Sequence, residues 1–188
     1  MKRILRFALF GAIGFGIGGL FLGMVGVLEF NLRFPHLARW AIELLAFVVK
    51  GALGGTALGL ALGRSKKTLA LFGSGGFLAG GLLALFWEPA GIRYTVFSGI
   101  ALFEGALGGA ALGLALKSGT KIIVLAIAGS LGILIGMMIA NYVLYNGDAI
   151  DISNFFLIFS LLDAAALTLE GVVGGALIGM ALAYLDRK

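Results

Sequence analysis

Three stretches of this chain share one arrangement: an ionisable residue stands directly before glycines spaced four apart, inside an apolar run. They are Lys50 with GALGGTALGLAL, Glu104 with GALGGAALGLAL and Glu170 with GVVGGALIGMAL. The first two match at 11 of 12 positions, Gly51–Leu62 against Gly105–Leu116, and differ only at Thr56 and Ala110. No other feature constrains the fold as strongly. A charge within an apolar run is costly unless protein groups receive it. A face of glycine lets the backbone of another helix come close.

Composition settles the solvent. The 188 residues are 61% hydrophobic and 12% charged, with a mean hydropathy of +1.10. A soluble domain is nearer half apolar and a quarter charged. The excess points to a membrane protein. Cysteine is absent, which excludes a disulfide framework and a thiolate metal site. The net charge of +5 lies in short clusters between apolar runs, so no nucleic-acid partner is expected.

Six apolar runs are expected to be helices that cross the bilayer: 4–28, 37–63, 68–87, 94–116, 122–145 and 155–184. Each has about 20 residues or more, enough for a hydrocarbon core of about 30 Å. They are continuously apolar rather than alternating, which favours helices over barrel strands. The last run is long enough to tilt or to begin outside the bilayer. Pro35 and Pro89 fall in expected loops.

Basic residues orient the spans. Ten of them, Lys2, Arg3, Arg6, Arg64, Lys66, Lys67, Lys117, Lys121, Arg187 and Lys188, fall on one side. Arg33, Arg39 and Arg93 fall on the other, and Lys50 lies inside a span. The expected location is a prokaryotic cytoplasmic membrane, with both termini in the cytoplasm. Trp40, Trp87, Tyr94, Tyr142 and Tyr145 sit near the outer ends, where an interfacial aromatic belt belongs. The first run is expected to be retained, because it is too long for a signal peptide and no cleavage site is evident.

The expected fold is therefore an all-α integral membrane protein. Its six transmembrane helices form three tandem, parallel helical-hairpin repeats, 1–64, 65–117 and 118–188, within a single membrane domain 1–188. A pseudo-threefold axis along the membrane normal is the natural symmetry. Glycine zippers pack it: Gly51, Gly55, Gly59 and Gly63 on the second helix, Gly105, Gly109 and Gly113 on the fourth, Gly171, Gly175 and Gly179 on the sixth.

The charges carry the functional expectation. Lys50, Glu104 and Glu170 lie about 12–15 residues from the cytoplasmic ends of their spans, about 18–22 Å along a helix and near the midplane. They should face the bundle and meet near its axis. One lysine neutralises one glutamate, and the remaining carboxylate needs a proton, a cation or water. Glu43 and Asp163 stand seven residues before Lys50 and Glu170, about 10 Å further outward. Beyond them are Glu29, Glu88, Asp148 and Asp151. Such a field favours cations.

The expected substrate or ion site is thus Lys50, Glu104, Glu170, Glu43 and Asp163. The expected function is passage of a cation, a proton or a small cationic solute. Two other roles for the charges stay open: buried pairs that fix helix register, and docking of a partner subunit. The rival function is accordingly a non-catalytic accessory or assembly subunit. The expected partners are the lipid bilayer and either a second copy or other membrane subunits. No cofactor and no metal are expected. His36 is the lone histidine, placed in an outer loop, and no nucleophile–base–orienter set is visible, so an enzyme is not expected. Ser74, Ser98, Ser130 and Thr56 are expected to bond to their preceding helical turns. Asn141 suggests no role.

The run GAIGFGIGG at Gly11–Gly19 resembles the glycine-rich inner helix of rotary-ATPase proteolipid subunits. Some of those are fused hairpins with a carboxylate midway along each second helix, as Glu104 and Glu170 are here. The resemblance implies a rotor subunit. The chain departs from it in three ways: Lys50 replaces the first carboxylate, the glycine spacing continues through the second helices, and the charge rule puts the hairpin loops outside. Six-helix substrate-binding subunits of vitamin importers are similar in size and topology, without a shared motif.

Overall fold

A computed structural model describes residues 1–32, 36–63, 66–86, 95–140, 142–143 and 155–186. The described chain is helical: α1 (Lys2–Leu32), α2 (His36–Leu62), α3 (Lys66–Phe86), α4 (Thr95–Ala115), α5 (Gly119–Ala140) and α6 (Phe155–Leu185). These follow the six apolar runs to within a few residues. His36 is the first residue of α2 rather than part of a loop. Pro35, Pro89, Trp87, Tyr94, Tyr145, Asn141, Glu88, Asp148, Asp151, Arg33, Arg64, Arg93, Arg187 and Lys188 lie outside the described residues. So do the side chains of Glu29, Arg39, Ser98 and Asp163.

Four helical segments are long and apolar enough to cross a membrane among the described residues: Lys2–Leu28, Trp40–Leu62, Gly119–Ala140 and Ala164–Leu185. Leu102–Ala115 is a shorter apolar segment. The outward faces match a lipid solvent. Leu5, Leu9, Ile13 and Ile17 are exposed in a row along α1, and Ile123, Ile127, Leu131 and Ile135 along α5. In water such rows would be an aggregation surface. Trp40 and Tyr142 are exposed, both at the end away from the chain termini.

Each helix packs on its neighbours in sequence, and α6 packs on α1, so the six close into a ring. Neighbours run antiparallel. Gly51 meets Gly73 and Gly55 meets Leu69 between α2 and α3, while Gly175 meets Gly11 and Gly179 meets Phe7 between α6 and α1. The approach is backbone to backbone. A Cβ on Gly51 would stand 2.3 Å from the Gly73 carbonyl oxygen, one on Gly109 would stand 1.9 Å from that of Leu125, and one on Gly175 would stand 2.1 Å from that of Gly11. All nine glycines at 51, 55, 59, 105, 109, 113, 171, 175 and 179 are buried.

Gly63 is different from those nine. It is exposed, has nothing within 4 Å of a built Cβ and takes φ +65°. It ends α2 in the left-handed conformation, with its amide donating to the Leu60 carbonyl. The expected fourth glycine of that seam is therefore a helix cap. Lys117 takes the same role after α4 at φ 52°, without glycine's freedom.

Inside the ring, the half nearer the termini is filled by apolar side chains: Phe7, Phe15, Leu58, Leu69, Phe77, Leu112, Leu125, Ile133, Ile178 and Leu182 form one cluster. A smaller cluster of Leu22, Val25 and Ala46, with Ile42, Phe47 and Leu167 against it, lies on the other side of Lys50.

Candidate functional site

α2, α4 and α6 bring Lys50, Glu104 and Glu170 to the interior. The Lys50 ammonium donates to Glu104 Oε1 at 2.6 Å and to Glu170 Oε1 at 3.0 Å. The three residues are 0%, 4% and 7% exposed. Lys50 Nζ also lies 5.6 Å from the centre of the Phe77 ring, within cation–π range. One ammonium thus serves two carboxylates, which leaves a formal surplus of one negative charge among buried groups.

The backbone around the group is tight. A Cβ on Gly18 would stand 2.6 Å from the Lys50 Cα, one on Gly80 2.7 Å from the Glu104 Cα, and one on Gly136 2.6 Å from the Glu170 Cα. Each charged residue therefore leans on a glycine of the preceding helix. The glycine that follows it, Gly51, Gly105 or Gly171, faces the other neighbour. Each even helix is held from both sides, which sets the depth and direction of its charged side chain.

Below the charges, toward the termini, Phe15, Phe77 and Ile133 close the axis. Phe15 and Phe77 have ring centres 5.1 Å apart. Phe15 covers Gly54, Phe77 covers Gly108, and Ile133 lies against Gly174. Phe15, Phe77, Ile133, Ile178, Lys50 and Glu170 line a narrow gap with no room for a water-sized sphere.

Of the five expected site residues, Lys50, Glu104 and Glu170 come together. Glu43 is partly buried about two turns before Lys50 on α2. The Asp163 side chain lies outside the described residues. Among the described residues, no cluster of three or more His, Asp or Glu has the arrangement of a metal site.

The hydroxyls depart from expectation. Ser74 donates to the Val48 carbonyl at 3.1 Å and Ser130 to the Leu102 carbonyl at 2.9 Å. Both bonds cross to a neighbouring helix, because the glycine seam brings that helix within reach. The accepting carbonyls lie two residues before Lys50 and Glu104. Thr168 does bond within its own helix, to Ala164 at 2.7 Å.

The even-helix motif alone does not reveal the apolar closure or the glycines behind the charges. A second spacing carries that information: Gly11-x-x-Gly14-Phe15-x-x-Gly18, Gly73-x-x-Gly76-Phe77-x-x-Gly80 and Gly129-x-x-Gly132-Ile133-x-x-Gly136. No family model matches the chain, and no curated protein or solved structure matches it.

Proposed function

We propose that this chain crosses the membrane six times as three hairpin repeats seamed by glycine zippers. Its Lys50–Glu104–Glu170 group is the site through which a cation, a proton or a small cationic solute passes. The carrying observation is the surplus carboxylate: two glutamates share one lysine, and all three side chains are buried. A buried net charge is expensive unless a further positive charge joins it, so the group is suited to hold a mobile cation or proton. Glu104 and Glu170 are its ligands, Lys50 is a tethered counter-charge, and Glu43 and Asp163 form the approach from outside.

Matched packing at corresponding positions supports the repeat reading. Gly18, Gly80 and Gly136 back the three charges, and Gly51, Gly105 and Gly171 seam to the following helix, with α6 returning to α1. Small residues at helix contacts are how bundles associate in lipid. The described cations Lys2, Arg3, Arg6, Lys66, Lys67, Lys117 and Lys121 gather at the terminal end, the end assigned to the cytoplasm.

The test uses Glu170→Gln. Replacing both glutamates would strand Lys50 without a partner, at a cost of about 3–5 kcal/mol. Glu170→Gln leaves a neutral pair, Lys50 with Glu104 at 2.6 Å, and should fold. In proteoliposomes under an imposed gradient, the wild type should pass protons or monovalent cations and Glu170→Gln should fall to the lipid background. Equal flux from both proteins would remove the transport reading.

The closed apolar half of the axis favours a second reading. Phe15, Phe77 and Ile133 plug the path toward the termini. A bundle sealed this way also suits a non-transporting subunit whose charges fix register. Stoichiometric co-purification with another membrane protein in mild detergent would support that alternative, and a stable lone or homo-oligomeric species would support transport.

A further inference from the structure

At the terminal end, a cleft of about 410 Å³ opens between α1 and α2, lined by Lys2, Arg3, Arg6, Phe7 and Ala61. The lining joins three cations to an apolar floor. Its arginines are held in place. Arg3 pairs with Asp186 and lies 5.6 Å from the centre of the Phe7 ring. Arg6 lies 5.8 Å from the centre of the Phe10 ring and donates to the Leu60 carbonyl at 3.4 Å. Asp186 is also approached by Lys121 at 3.9 Å, so one carboxylate is divided between two cations. The cleft keeps a positive surplus. On the face of α1 that carries Lys2 and Arg6, Leu9 and Ile13 follow seven residues on and are exposed, as is Leu60 on α2. A cationic pocket continuous with an apolar strip matches a ligand with an anionic head and hydrocarbon tails. Its volume falls within the usual range for ligand sites.

We infer that this cleft binds the phosphate headgroup of an anionic phospholipid, with the acyl chains lying along Leu9, Ile13 and Leu60. Basic pockets between helices at a membrane surface recognise such headgroups. Arg3 and Arg6 supply planar donors for phosphate oxygens, and Lys2 adds a point charge.

The test is native mass spectrometry of the full chain from mixed micelles holding equal phosphatidylglycerol and phosphatidylcholine. Bound phosphatidylglycerol should exceed phosphatidylcholine. Lys2→Gln/Arg6→Gln should weaken phosphatidylglycerol binding about 25-fold, about fivefold for each cation removed. Lys66→Gln/Lys67→Gln, at the same end but outside the cleft, should leave binding within about twofold of wild type. Lys2→Gln alone keeps Arg3 and Arg6 in their contacts and should give the fivefold loss in a protein of unchanged thermal midpoint. Equal retention of the two lipids overturns the inference, as does equal loss from the two double variants. Displacement of phosphatidylglycerol by equimolar inorganic phosphate would also overturn it, because the tails would then contribute nothing.

Discussion

Lys50 sits between two carboxylates, and its ammonium is fully buried. The sequence places an ionisable residue before each glycine seam, so the identity and depth of all three charges are legible from it. The hydrogen-bond order is not legible, because it depends on which side chains reach the axis. A residue off the axis gives a second test. Lys117 ends α4 in the left-handed region at φ 52°, where Gly63 ends α2. A side chain there costs about 1–2 kcal/mol, partly offset because glycine gains freedom in the unfolded chain. Lys117→Gly should therefore stabilise the protein by about 0.5 kcal/mol, read as a raised unfolding midpoint in detergent. A lowered midpoint would show that the Lys117 side chain does more than end the helix.

Between elements, buried glycines stand where neighbouring backbones come close. Regular four-residue glycine spacing on α2, α4 and α6 is visible in the sequence, but the partner of each seam is not. The partner is the next helix along the chain, and for α6 it is α1. Periodicity identifies a smooth face and leaves open which helix it meets. Gly105 and Gly75 distinguish seam glycine from idle glycine. A Cβ on Gly105 would stand 2.4 Å from the Gly129 carbonyl oxygen, whereas one on Gly75 meets nothing within 4 Å. Gly105→Ala must push α4 from α5 and should cost about 1–3 kcal/mol. Gly75→Ala should cost nothing and raise stability by up to about 1 kcal/mol. Equal effects in equilibrium unfolding would mean that the α4–α5 approach is looser than described. Ser74 and Ser130 show why local rules fall short here. Their expected partners lie in their own helices, but close helices supply carbonyls at 3.1 and 2.9 Å.

At the scale of the whole molecule, the ring closes where α6 meets α1, and Arg3 pairs with Asp186 beside that contact. Arg3 and Asp186, far apart in sequence, are therefore neighbours. A circular permutant joining Lys188 to Met1 through a short glycine-serine linker, opened between Arg64 and Ser65, should fold with a similar detergent-unfolding midpoint. Failure to fold would place Arg3 and Asp186 apart. The same ring brings three separate helices to one buried group, and their interdependence is the central claim. Unfolding free energies of Lys50→Met and of Lys50→Met/Glu104→Gln/Glu170→Gln in one detergent test it most directly. Lys50→Met strands two buried carboxylates and should lose about 3–5 kcal/mol, while the neutral triple variant should recover at least half of that loss. A triple variant less stable than Lys50→Met, with losses that simply add, would contradict the account.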